Sequence, residues 1–97
     1  MRPSVAMAKH RNQIHKILEQ SHMANPKVFG SVARGDDNEA SDLDLLVEVP
    51  PGTTFYDLAR VELELEKILG CKVEVLTKDS LAADIAENAE ADLAPVP

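Results

Sequence analysis

The sequence predicts an α/β (α+β) domain, a small mixed β-sheet of about three strands with helices packed on one side. Three observations carry this reading. Two short runs, Asp42 to Val49 and Lys72 to Leu76, alternate apolar and polar residues with the period of a half-buried strand. Between them, Leu58, Val61, Leu65, Ile68 and Leu69 recur at helical spacing. The chain of 97 residues has room for one core, so residues 1–97 are expected to form a single domain. Strands alternating with helices bury a sheet face beneath those helices.

Taken in order, Ser4 to about Ser21 reads as one helix, with Met7, Ile14, Ile17 and Leu18 on a stripe that His10 and Arg11 interrupt. Pro3 sits where a first-turn proline is tolerated. Asn25-Pro26 is a turn signal, and Lys27-Val28-Phe29 is a short strand ending at Gly30. The polar stretch from Asp36 to Ser41 reads as a loop. In the next strand Leu43, Leu45, Val47 and Val49 share one face, while Asp42, Asp44, Leu46 and Glu48 share the other. Pro50-Pro51-Gly52 ends it. Thr54 caps the following helix, with Asp57 in its first turn and Gly70 just past its end. Glu62, Glu64 and Glu66 read as its solvated face. A last short helix is expected from Asp79 or Ser80 to about Asn88, and then a frayed tail.

Composition excludes several function classes. The net charge is −7 and no basic run exists, so direct nucleic-acid binding is not expected. No apolar run approaches the roughly 18 residues of a membrane span. Aromatics are 3% of the chain, which leaves the core to Leu, Val, Ile and Ala. The single cysteine, Cys71, fits a reducing compartment, and with no secretion signal in view the expectation is cytoplasmic. His10, His15 and His22 lack the spacing of a helical zinc pair.

The chemistry is carried by carboxylates and a glycine turn. Asp42 and Asp44 stand at i and i+2 of a strand, so both project from the same face, about 7 Å apart. Carboxylates that close raise each other's pKa unless a cation lies between them, and Mg²⁺ commonly joins one or two carboxylates to substrate phosphates. Glu74 comes from another strand. Three converging carboxylates are what two-metal phosphoryl transfer requires. Alone, Asp42-Leu43-Asp44 reads equally as a solvated strand face or a cap. Gly30-Ser31, following a strand and opening a helical turn, presents backbone N–H groups and a hydroxyl to an anion. Alone, it is an ordinary turn.

Together these residues form one pattern, GSVARGDDNEASDLDLLVE, with Gly30-Ser31 ten residues before Asp42-Leu43-Asp44. The pattern resembles the signature of the nucleotidyltransferase superfamily related to DNA polymerase β, most closely its minimal nucleotidyltransferase branch. The similarity continues through Gly70-Cys71-Lys72-Val73-Glu74. It implies that Gly30 and Ser31 hold the β,γ-phosphates of a nucleoside triphosphate and that Asp42 and Asp44 ligate two Mg²⁺ ions. It further implies that Glu74 is the third carboxylate, a metal ligand and general base. The family more usually has aspartate there, and glutamate reaches about 1.5 Å further. Arg34 is either a phosphate contact or a loop anchor.

The minimal branch is typically paired with a small helical HEPN-domain protein, often an RNase toxin. The resemblance therefore implies a Mg²⁺-dependent enzyme that transfers AMP from ATP to a protein hydroxyl as antitoxin of such a toxin. The alternative is a non-catalytic antitoxin that masks its partner by stoichiometric binding. Intact Gly30, Ser31, Asp42 and Asp44 favour the enzyme, while Glu74 and the small size favour the binder.

Overall fold

A computed structural model describes residues 2–77 and 94–96. Its elements are α1 (Pro3–Lys9), α2 (Arg11–Gln20), β1 (Ala24–Phe29), α3 (Ser31–Arg34), β2 (Leu43–Glu48), α4 (Phe55–Leu69), β3 (Val73–Leu76) and β4 (Ala94–Pro95). The sheet runs in the order β3-β2-β1-β4. β1 is antiparallel to β2 and β4, and β2 is parallel to β3. The expected mixed sheet is present, with a two-residue edge strand added. The helix expected to open at Asp79 or Ser80 lies outside the described residues.

The alternation in β2 decides the layering. Leu43, Leu45 and Val47 turn to one face and are almost fully buried with Val73 and Val75 of β3. The helices cover this face with Ala6 and Met7 of α1, Ile14 and Leu18 of α2, and Leu58, Val61 and Leu65 of α4. The opposite face carries Asp44, Leu46 and Glu48, and Leu46 joins Phe29 and Leu76 in a separate small apolar cluster. One sheet face is thus committed to the core and the other is left for chemistry.

Three expectations are corrected. The first helix is two, because His10 leaves helical dihedrals (φ −110°, ψ 21°) and shares a 2.8 Å hydrogen bond with Gln13 through its ring. Asn25-Pro26 is a bulge within β1, not a turn before it. Asn25 takes a left-handed φ of 49°, and the register with β2 shifts between Ala24 and Lys27. The tail does not fray throughout: Ala94–Pro95 pairs with β1, and Val96 is buried.

Glu62 and Glu66 are also more than a solvated face. β3 is an edge strand, and its outward N–H groups are taken by α4: Val75 N–H donates to Glu62 Oε1 at 3.0 Å and Val73 N–H to Glu66 Oε2 at 3.1 Å. The spacing explains the match. Four helical residues rise about 6 Å and two strand residues about 6.6 Å, so an i, i+4 glutamate pair meets alternate edge amides. An otherwise open edge is closed.

α4 is pinned at its start by a reciprocal capping box. Asp57 N–H donates to Thr54 Oγ1, and Thr54 N–H donates to Asp57 Oδ2 at 2.9 Å. The Thr54 N–H and hydroxyl, both donating to it, hold the Asp57 carboxyl below the usual range. Thr54→Ala is expected to lower the urea midpoint by the equivalent of about 1 kcal/mol without changing the transition's slope. An unchanged midpoint would show that the box carries no stability.

Candidate active site

The parallel pairing of β2 with β3 places Asp44 directly beside Glu74. The antiparallel pairing of β2 with β1 places Phe29 on the other side of Asp44. The register is reinforced where the two strands begin, as Leu43 N–H donates to the carbonyl of Lys72, the residue before β3, at 2.8 Å. Asp44 is half-buried, whereas Glu74 and Asp42 are exposed. Asp42 lies one residue before β2 begins.

The electrostatics follow from that packing. Burial, then the charge of Glu74, then that of Asp42 raise the Asp44 carboxyl from 3.8 to about 6, and a hydrogen bond with Glu74 adds to the effect. The Lys72 charge works in the opposite direction. Anionic oxygens held this close are a standing demand for a cation. All three sequence-predicted carboxylates therefore act on one locus. Among the described residues, however, no three His, Cys, Asp or Glu side chains form a ready-made metal cage. A hard cation that keeps waters and substrate phosphates in its shell needs only one or two protein carboxylates, which this arrangement supplies.

Gly30 brings the turn that opens α3 against these carboxylates. It holds φ 73° and ψ −149°, a region open essentially to glycine alone, and it is the residue from which α3 starts. A β-carbon there would stand 3.2 Å from Asp44 Oδ2. Ser31 follows as the first residue of α3 and is half-buried. The turn closes at Gly35, which is left-handed at φ 78°. Arg34 pairs with Asp36 across 3.4 Å with both side chains exposed.

The loop between turn and carboxylates is anchored by a residue that the sequence concealed. Asp37 is 4% exposed, and its Oδ2 accepts the Ser4 N–H at 2.8 Å. Burial pushes this carboxyl up. The Ser4 N–H and hydroxyl, with the Arg2 charge, outweigh burial and hold it below the ordinary value. The start of α1 thus tethers the segment that carries Asp42 toward β2. In sequence, Asp37 is one member of an acidic run in a loop, and nothing distinguishes it from its solvated neighbours.

Comparison with known proteins places this geometry. The nucleotidyltransferase domain profile matches residues 11–93, and the chain belongs to that family. It falls within the minimal branch. A presumptive minimal nucleotidyltransferase of known structure superposes with a TM-score of 0.81 at 35% identity, covering 95% of this chain and 94% of the other. A presumptive protein adenylyltransferase of Methanocaldococcus jannaschii is 41% identical over 71 residues, which is 73% of this chain and 76% of the relative. The fold is also that of a chain from a complex described as tri-AMPylated Shewanella oneidensis HEPN toxin with MNT antitoxin. There the TM-score is 0.71 at 15% identity, covering 94% of this chain and 71% of the other. No helix among the described residues is long and apolar enough to cross a membrane.

Proposed function

We propose that this chain is a Mg²⁺-dependent protein adenylyltransferase of the cytoplasm, moving AMP from ATP to a hydroxyl on a small helical HEPN-domain toxin and so acting as its antitoxin. The observation that carries the reading is the Asp44–Glu74 pair, in register on parallel strands, with Gly30 packed against the Asp44 carboxylate. The family and the adenylyltransferase relative support the reaction class. The fold shared with an antitoxin solved beside its AMPylated HEPN toxin supports the acceptor.

In this reading Asp42, Asp44 and Glu74 hold the metal, and Gly30 and Ser31 hold the β,γ-phosphates. Mg²⁺ held there would supply positive charge against which the triphosphate reacts. Glu74, exposed on the edge strand, takes the proton of the acceptor hydroxyl. The hydroxyl oxygen then bonds to the α-phosphorus, the bond from that phosphorus to the bridging oxygen breaks, and pyrophosphate leaves. Asp44, half-buried beside Gly30, would orient the nucleotide against that turn.

The second reading, a stoichiometric antitoxin, is favoured by glutamate at position 74 and by the lack of a preformed three-ligand cage among the described residues. Incubation of the purified chain with its HEPN-domain partner, α-labelled ATP and Mg²⁺ separates the two. The adenylyltransferase labels the partner, and Asp42→Ala/Asp44→Ala abolishes the label. A stable complex with no label from any of the four nucleoside triphosphates would leave the stoichiometric binder.

A further inference from the structure

The chain contains three aromatic residues, and two of them, Phe55 and Tyr56, stand 80% and 77% exposed in the first turn of α4. Leu63, two turns along, is 59% exposed. With exposed Ala59 these side chains lie on one face of the helix, since residues four apart are neighbours there. The core is served by a different stripe, Leu58, Val61, Leu65 and Leu69. α4 is therefore apolar on two faces, and packing within the described fold accounts for one of them. The capping box fixes the turn that carries both aromatics, so they are presented on a rigid element.

The outer stripe borders the catalytic carboxylates. A groove of about 260 Å³ runs between α4 and β3, with Phe55 and Ala59 on one wall and Lys72 and Glu74 on the other. Glu62 and Glu66 also line it, and their carboxylates are bound to the β3 amides. With those amides taken, a partner cannot add itself as a further strand on this part of the edge and must engage through side chains.

We infer that this stripe and groove form the docking surface for the protein acceptor, a positively charged partner that covers Phe55 and Tyr56 and thereby delivers its hydroxyl to Glu74. The inference rests on the proposed transfer to a protein hydroxyl and names the surface that selects the recipient. Three features support it. Glu74, the residue to which the hydroxyl must be delivered, lines the groove. The three exposed side chains present on the order of 400 Å² of apolar surface, about half of one partner's share of a standard interface, with aromatics as anchors. The groove holds three glutamates against one lysine in a chain of net charge −7, which favours a basic occupant and disfavours a second copy of the same chain.

The test is a Phe55→Ser/Tyr56→Ser double variant, with Leu63→Ser made separately, assayed with the purified HEPN-domain partner. Mg²⁺-ATP binding and the thermal transition are expected to be unchanged, because these side chains are exposed, lie outside the buried core and are not among the residues proposed to hold metal or phosphate. The Kd for the partner and the acceptor KM should rise at least about 30-fold in the double variant, as for loss of anchor residues, with kcat at saturating acceptor within about threefold of wild type. Wild-type affinity should weaken as salt rises. Partner binding that survives the double substitution, or is indifferent to salt, overturns the inference. So does a wild-type dimer that the variant converts to monomer while partner binding is retained, since the occupant would then be a second copy. If the wild type binds the partner without labelling it and the double variant loses binding, the surface stands and the transfer reading fails.

Discussion

Asp44→Asn is expected to abolish transfer while making the ligand-free protein more stable. The change keeps the shape of the side chain and removes the charge that burial, Glu74 and Asp42 disfavour. A rise from 3.8 to about 6 corresponds to an upper limit of about 3 kcal/mol, and screening by solvent at a half-buried site reduces this to roughly 1 to 2 kcal/mol. In a domain of this size that is a gain of roughly 4–15 °C in Tm. The transfer rate should fall at least about 10³-fold, because on the proposed reading the lost carboxylate is the one that would orient the metal and the nucleotide at the reacting phosphate. The pH dependence separates this effect from a general one. Between 3.8 and about 6 the folded protein holds the Asp44 proton that the unfolded chain has released, so the contribution is intact below 3.8 and lost as pH rises through 6. Melts without divalent cation should therefore show variant and wild type diverging across that window and running parallel above it. Asp37 and Asp57 are shifted downward, and their contributions fade only as the solution becomes more acidic than the ordinary aspartate range. Added Mg²⁺ with nucleotide should stabilise the wild type and leave the variant unmoved. A variant that melts at or below the wild type would show that the carboxylates do not strain the empty site.

The relation of Asp44 to Glu74 was legible in the sequence because it depends on two periodic signals, the alternation in β2 and that in β3, and on a motif with fixed spacing. Strand alternation assigns a face without reference to the rest of the fold, and Gly30-Ser31 announces its turn through local backbone chemistry. What stayed hidden depends on partners far away in the chain. Glu62 and Glu66 look like any exposed helical glutamates until β3 is known to be an edge strand. Asp37 looks like its acidic neighbours until Ser4, 33 residues earlier, is seen to donate to it. β4 is two residues long, too short for any period, and exists only because β1 offers it a partner. Even the exposure of Phe55 and Tyr56 was beyond composition, which counts aromatics without placing them. Local pattern thus located the candidate carboxylates and the glycine turn, while long-range contacts determined how they are braced and what surrounds them.

Gly30→Ala is expected to damage both fold and site, and Gly35→Ala to damage the fold alone. Both glycines have positive φ, 73° and 78°, so each alanine carries a backbone cost. At Gly35 the dihedrals are left-handed helical and a β-carbon meets nothing within 4 Å, which limits the loss to about 1–2 kcal/mol. At Gly30 the ψ of −149° lies in the region that side chains essentially never occupy, with a cost of order 1–3 kcal/mol. The new methyl would also press on Asp44 Oδ2 at 3.2 Å. That oxygen belongs to a strand locked between β1 and β3, so it cannot easily retreat, and relief must come from the turn swinging away. On the proposed reading, the amides that hold phosphate then leave the carboxylates beside them, and a displacement near 1 Å is enough to cost about 10²-fold in rate. Alanine at 35 should lower the urea midpoint and preserve kcat/KM for ATP. Alanine at 30 should lower the midpoint further and reduce kcat/KM by about 10²-fold or more, with nucleotide affinity falling in parallel. Equal activity in the two variants at matched stability would mean that the contact between Gly30 and Asp44 does not shape the site.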